Sequence, residues 1–228
     1  MTPKIISVKI GFSNSILIVN GSNSVLIDTG VKGHLQQFKT LFEQNRLQPE
    51  DIKLIVLTHT HYDHTGNLNE LVKLTGAKVL VHKNEFENLK NGFIQIPMGT
   101  RFYTKIVVFL GRLLKPRYAS PTPFIADITN TDKFMLSEYG IEGTVLHTPG
   151  HTTGSQSVLI GKNIFVGDTF FNIREKIVFP PFANNPKQVL KTWENILKLD
   201  IEEIYPAHGK SFKVEKAIVE FEKWKKLI

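Results

Sequence analysis

The chain has 228 residues, 41% of them apolar and none of them cysteine. That apolar share, at this length, supports one well-packed domain or two small ones and argues against a disordered chain. The lack of cysteine excludes disulfides, thiolate metal ligands and a cysteine nucleophile. A formal net charge of +7 favours encounter with anionic partners, although a solvated basic surface gives the same count.

The opening MTPKIISVKI lacks the basic segment, long apolar run and small-residue cleavage site of a secretory leader, so the expected location is cytoplasmic. No apolar stretch reaches the ~18 residues of a membrane span; the nearest, Ile106 to Leu114, carries Arg112. Lys4 to Ile10, Ser15 to Val19 and Val25 to Asp28 read as three strands of a meander, with Gly21-Ser22-Asn23 as a tight turn. Leu35, Phe38, Leu41 and Phe42 recur at helical spacing, and Leu54 to Leu57 is a short apolar strand running into a cluster of histidines. Leu68, Leu71 and Val72 predict a helix closed by Gly76, followed by strand Lys78 to Val81 and a polar helix around Asn84 to Leu89.

Asn91 to Asp127 is rich in aromatic, proline and basic residues, with Phe102, Ile106, Phe109, Leu110 and Leu113 at roughly helical intervals. We read 91–127 as an insertion within a single domain spanning 1–228; a connection of this length is commonly a lid or cap, or a helical packing segment. Strands follow at Thr144 to His147, Gln156 to Ile160 and Asn163 to Val166, the last two joined across Gly161-Lys162. Asn185-Pro186 caps a helix carrying Val189, Leu190, Trp193, Ile196 and Leu197. A strand at Glu203 to Tyr205 and a terminal helix with Val214, Ile218, Phe221 and Trp224 on one face complete the chain. Alternation of this kind predicts a layered α/β domain whose second half resembles the first.

The most specific signal is His59-Thr60-His61-Tyr62-Asp63-His64, which puts three imidazoles and a carboxylate within one short segment at a strand's end. If the strand continues, His59 and His61 project to one side, while Asp63 and His64 approach from the turn beyond, so one segment can serve two neighbouring metals. Zinc requires further His or carboxylate ligands. The sequence offers His151 in His147-Thr148-Pro149-Gly150-His151, Asp168 in Val166-Gly167-Asp168-Thr169, and His208 in Tyr205-Pro206-Ala207-His208-Gly209, each after a strand.

With Leu26-Ile27-Asp28-Thr29-Gly30 added, these five motifs in this order resemble the metallo-β-lactamase superfamily, specifically its glyoxalase II-like hydrolase branch, over roughly Ile16 to Lys210. The resemblance implies a four-layer αβ/βα sandwich with the site at one edge of two facing sheets. It also implies that His59, His61 and His151 bind one metal, that Asp63, His64 and His208 bind another, and that Asp168 bridges them. Asp28 would support the ligands without binding metal. The implied activity is hydrolysis of a small ester, thioester, lactone or phosphoester by a bridging hydroxide, with Asp63 and Asp168 as the catalytic carboxylates. The implied cofactors are two divalent ions, zinc first, with iron and manganese accepting similar shells. The alternatives are an iron persulfide dioxygenase-like enzyme, using one metal held by His59, His61 or His151 with Asp168, and a non-catalytic metal-binding module.

His34, His82 and His147 lie outside these motifs and are expected to be surface or core residues, with His147 able to reach behind the ligands. Arg101, Arg112, Lys115 and Arg117, and Arg174 and Lys176 after the Asp168 motif, are candidates for recognising an anionic small-molecule substrate or members of a solvated face. No nucleic-acid recognition element is found. Phe170-Phe171-Asn172-Ile173-Arg174 stands where glyoxalase II enzymes carry a glutathione-binding stretch and lactone-cleaving relatives a tyrosine. True β-lactamases of the superfamily lack the bridging Asp. The resemblance therefore reaches the metal centre and not a particular substrate.

Overall fold

The computed structural model describes residues 3–93, 97–114 and 121–228. Among them, the chain runs β1 (Lys4–Ile10), β2 (Ser13–Val19), β3 (Ser24–Ile27), α1 (Leu35–Gln44), β4 (Ile52–Val56), α2 (Tyr62–Thr65), α3 (Leu68–Thr75), β5 (Lys78–His82) and α4 (Lys83–Asn91). It continues with α5 (Phe102–Leu114), β6 (Ile128–Asn130), β7 (Lys133–Met135), β8 (Gly143–His147), β9 (Gln156–Ile160), β10 (Asn163–Gly167), α6 (Pro186–Ile196), β11 (Glu203–Pro206), β12 (Phe212–Lys213) and α7 (Val214–Lys225).

Two six-stranded sheets result, ordered β1-β2-β3-β4-β5-β6 and β12-β11-β10-β9-β8-β7. Both are mixed: β3, β4, β5 and β6 run parallel, as do β10 and β11, and the other pairings are antiparallel. The inner strands are buried on both faces and so read as continuous apolar runs. Along β3, Val25 and Ile27 face the opposite sheet, where Val145, Val158 and Phe165 meet them, while Leu26 turns to Phe38, Phe42 and Leu71. Along β10, Phe165 faces inward while Ile164 and Val166 turn to Trp193, Ile196 and Trp224. Three apolar clusters between four layers make the αβ/βα sandwich.

Two expectations change in detail. The buried side of α7 uses Ala217 and Trp224, with Val214 and Phe221 partly buried, while Ile218 is exposed. Strand β4 ends at Val56, so His59 and His61 lie on a loop and not on a continued strand. Lys115 and Arg117 lie outside the described residues, and Arg101 lies over the Trp224 ring, 5.4 Å from its centroid. Among the described residues, no helix is long and apolar enough to cross a membrane.

Candidate metal centre

Chain segments leaving β3, β4, β8, β10 and β11 carry Asp28, His59 to His64, His151, Asp168 and His208. The structure brings the seven expected ligands into two adjoining groups: His59, His61, His151 and Asp168, and Asp63, His64 and His208. In the first, His61 Nδ1 lies 3.0 Å from His59 Nε2 and 3.1 Å from His151 Nε2. Three nitrogens each ~2.0–2.1 Å from one tetrahedral ion stand about 3.3 Å apart, so this spacing suits a common cation. In the second, His208 Nε2 is 3.3 Å from Asp63 Oδ2, and His64 Nε2 is 3.9 Å from the same oxygen.

Asp168 joins the groups by turning one oxygen to each. Its Oδ2 is 3.4 Å from His151 Nε2, and its Oδ1 is 3.3 Å from both His64 Nε2 and His208 Nε2. The sequence builds this placement at Gly167, whose φ of +50° suits glycine and where a Cβ would collide with the Thr58 side chain.

Four imidazoles are held from behind. His64 Nδ1 is 2.8 Å from Asp28 Oδ2, His151 Nδ1 2.9 Å from the Phe182 carbonyl, His208 Nδ1 3.1 Å from the Phe12 carbonyl and His59 Nδ1 3.1 Å from Thr58 Oγ1. An N–H donated rearward to a carboxylate or carbonyl leaves the other nitrogen's lone pair facing the centre. Asp28 also accepts from the Thr58 N–H and hydroxyl, each at 2.7 Å, so one carboxylate holds both the His64 ring and the residue before His59. Buried His64 Nε2 and Asp168 Oδ1 face each other at 3.3 Å, and neither has a well-formed hydrogen bond among the described residues. An acceptor and an imidazole nitrogen buried without well-formed hydrogen bonds, beside three converging imidazoles, fit a divalent cation.

The electrostatics divide the groups. Burial drives His59 well below the ordinary histidine range, reinforced by the neighbouring imidazoles, and brings His151 down to about 4 against the attraction of Asp168. Burial would lower His64 and His208 too, but carboxylates outweigh it: Asp28, Asp168 and Asp63 raise His64 well above its usual value, and Asp168 and Asp63 push His208 up to about 10. Burial would raise the two acids, yet imidazoles hold Asp63 low and Asp168 well below the carboxylate range. At neutral pH and without metal, His59 and His151 thus offer lone pairs, while His64 and His208 carry protons. Metal loading at pH 7 is expected to release about two protons, from His64 and His208, with affinity rising as pH climbs toward 10. Calorimetric titration in buffers of different ionisation enthalpy measures that release; its absence would contradict the raised values.

The structure adds residues that the sequence reading did not single out. Glu85 is buried on α4, where its carboxylate accepts from the Thr60 hydroxyl, between His59 and His61, and from the Gly154 N–H at 3.2 Å. It therefore ties the His59–His61 loop to the loop after His151. A glutamate in the polar run KNEFENLKN reads as a surface residue, and only the tertiary contact marks it. Phe171 stacks on the His208 ring, 4.9 Å between centroids, whereas Phe170 stacks on Trp193 in the core. His82 and His147 stack on each other at 3.9 Å, with His147 Nε2 2.9 Å from the Thr153 carbonyl, and neither belongs to the two groups. His34 is the residue preceding α1 and is likewise outside them.

The sequence profile described as "Metallo-beta-lactamase superfamily" matches residues 8–208. A "Probable metallo-hydrolase" from Methanocaldococcus jannaschii is 26% identical over 204 residues, covering 87% of this chain and 89% of that protein. A hydroxyacylglutathione hydrolase from Shewanella halifaxensis is 30% identical over 118 residues, 52% of this chain and 33% of that enzyme. Among solved structures, an archaeal metallo-beta-lactamase superfamily protein from Sulfolobus tokodaii has a similar fold, with a TM-score of 0.71 at 22% identity, over 96% of this chain and 85% of that one.

Proposed function

Because the chain belongs to the metallo-β-lactamase superfamily, whose members use divalent metal ions, we propose that it is a dinuclear hydrolase acting on a small ester, thioester, lactone or phosphoester. The observation that carries this reading is the division of Asp168, with Oδ2 toward the His151 group and Oδ1 toward His64 and His208. His59, His61 and His151 would hold one ion, Asp63, His64 and His208 the other, and Asp168 would lie between them. Zinc suits a shell of imidazole and carboxylate, and iron and manganese accept it as well.

When bound, the ions supply Lewis acidity, lowering the pKa of water toward about 7 and polarising the substrate oxygen. The protein's part is to keep the centre rigid and correctly charged. Asp28, Phe12 and Phe182 orient three imidazoles from behind. Asp63 and Asp168 stay ionised at neutral pH, so their negative charge would offset part of the charge of the ions. What supports a cap role for residues 91–127 is their attachment: Thr100 N–H donates to the Pro181 carbonyl and Ala183 N–H to the Met98 carbonyl, flanking the Phe182 carbonyl that holds His151.

Elemental analysis of natively purified protein, coupled to an ester, thioester, lactone and phosphodiester panel, tests the proposal. About two zinc or manganese per chain with turnover is the expected result. One iron per chain with oxygen uptake would replace it with the dioxygenase reading, and metal without turnover would leave a binding module.

A further inference from the structure

Residues 91–126 contain five cations, Arg101, Lys105, Arg112, Lys115 and Arg117, and no aspartate or glutamate. Helix α5 lies within this acid-free run and turns an apolar side outward. Phe102, Tyr103, Ile106, Val107, Phe109 and Leu110 are exposed, Phe102 by 81% and Phe109 by 69%, while Thr104 and Val108 are buried. At about 100° per residue the six exposed side chains share one side of the helix, and the buried pair, one turn apart, lies on the other. A helix packed on a domain ordinarily buries its apolar stripe, so a contiguous outward one marks a surface that meets something else.

The charges beside this side say what covers it. Lys105 is exposed at the margin of the apolar strip. Arg101, half-buried, lies over the Trp224 ring and so joins the start of α5 to the end of α7, where Lys225, Lys226 and Leu227 are exposed. Cations bordering a convex apolar strip complement anionic headgroups above acyl chains: rings enter the apolar boundary while ammonium groups stay at headgroup level. A second copy of the chain suits the strip poorly. Two-fold pairing through α5 would bring Lys105 and Arg101 of one copy toward those of the other, with no acid from 91–126 to separate them. The helix has 13 residues and is about 20 Å long, a length that lies in the plane of a bilayer and does not span it.

We infer that α5 docks this protein on anionic lipid bilayers, lying along the boundary between headgroups and acyl chains with Phe102, Ile106 and Phe109 inserted and Lys105 against the lipid anions. The occupant is the lipid surface itself, and the inference does not depend on which bond the metal centre cleaves. Met98 and Thr100, just before α5, are tied to Ala183 and Pro181, so the docked helix would stay beside the loop whose Phe182 carbonyl holds His151.

The test is co-sedimentation of the purified chain with vesicles of phosphatidylcholine alone and of phosphatidylcholine mixed equally with phosphatidylglycerol. Binding to the mixed vesicles should be roughly tenfold tighter or more, and the advantage should shrink with added salt. Lys105→Gln should weaken that binding about fivefold, and the pair Phe102→Ser with Phe109→Ser at least about tenfold. All three positions are exposed, so the fold is not at stake. Met135→Ser, at an exposed residue of edge strand β7, should leave binding unchanged. Trp193 and Trp224 are buried, so in Phe109→Trp the new indole should shift its emission to the blue on mixed vesicles and be quenched by brominated acyl chains. Failure to bind either vesicle, equal binding to both, or bound Phe109→Trp with unshifted emission would overturn the proposal. So would a dimer in vesicle-free solution that the paired serine variant dissociates, because the strip would then belong to a second copy.

Discussion

Asp168→Ala is expected to bring metal content below one ion per chain and to lower kcat/KM by roughly three decades or more, since metal centres supply several kcal/mol of transition-state stabilisation. Among the described residues, the carboxylate is the only side chain whose oxygens lie within 3.4 Å of imidazole nitrogens in both groups. If it is shared as proposed, its removal costs each group a ligand and cancels one of the two negative charges, Asp63 and Asp168, among the residues of the two groups. His64 and His208 lose an anion that raises them, and with it much of their attraction for a cation. The loss should exceed the about 10–100-fold typical of removing an outer hydrogen-bond partner. His61→Ala is the informative companion, because it strips one nitrogen from the first group and leaves Asp63, His64 and His208 intact. About one ion should remain in that variant. Elemental analysis beside steady-state kinetics distinguishes the two, and full metal with full turnover in Asp168→Ala would remove the assignment of a shared carboxylate.

Ligand residue types were legible because the chemistry is narrow: histidines and carboxylates gathered at strand ends among glycines have few other uses. The sandwich was legible for a similar reason, since strands such as Leu54 to Leu57 must be apolar on both faces to lie between layers. Three edge strands escaped, β6, β7 and β12, because segments as short as Ile128–Asn130 and Phe212–Lys213 contain too few residues to display a period. The role of Glu85 escaped because a buried carboxylate and a solvated one have the same letter, and its partners Thr60 and Gly154 are distant in the chain. Ile218 misled because helical spacing admits both 214-218-221 and 214-217-221, and the structure buries Ala217 while leaving Ile218 exposed. Arg174 was noticed by proximity to Asp168, but the positive φ of its turn goes with contacts among Asn172, His208, Gly209 and Lys216 that lie far apart in the chain.

Trp193 offers a way to separate the fold's stability from the centre it supports. Its ring is fully buried, stacked on Phe170 with centroids 4.0 Å apart and tilted against Phe179 at 5.4 Å. Trp193→Ala should therefore lower unfolding free energy by about 3–5 kcal/mol, the usual cost of a large cavity in a close-packed core. The indole N–H also donates to the Thr169 carbonyl at 2.7 Å, one residue beyond Asp168. Trp193→Phe retains much of the apolar contact, removes that donor and leaves a smaller cavity than alanine does, so about 1–3 kcal/mol should be lost, mainly as a buried carbonyl goes unpaired. If α6 helps to aim Asp168 through Thr169, the phenylalanine variant should also lose roughly tenfold in metal affinity, as an outer partner of a ligand would. Urea denaturation of metal-free protein gives the first quantity and chelator competition the second. A phenylalanine variant destabilised as expected but with unaltered metal affinity would mean that β10 and Gly167 alone set the carboxylate's position.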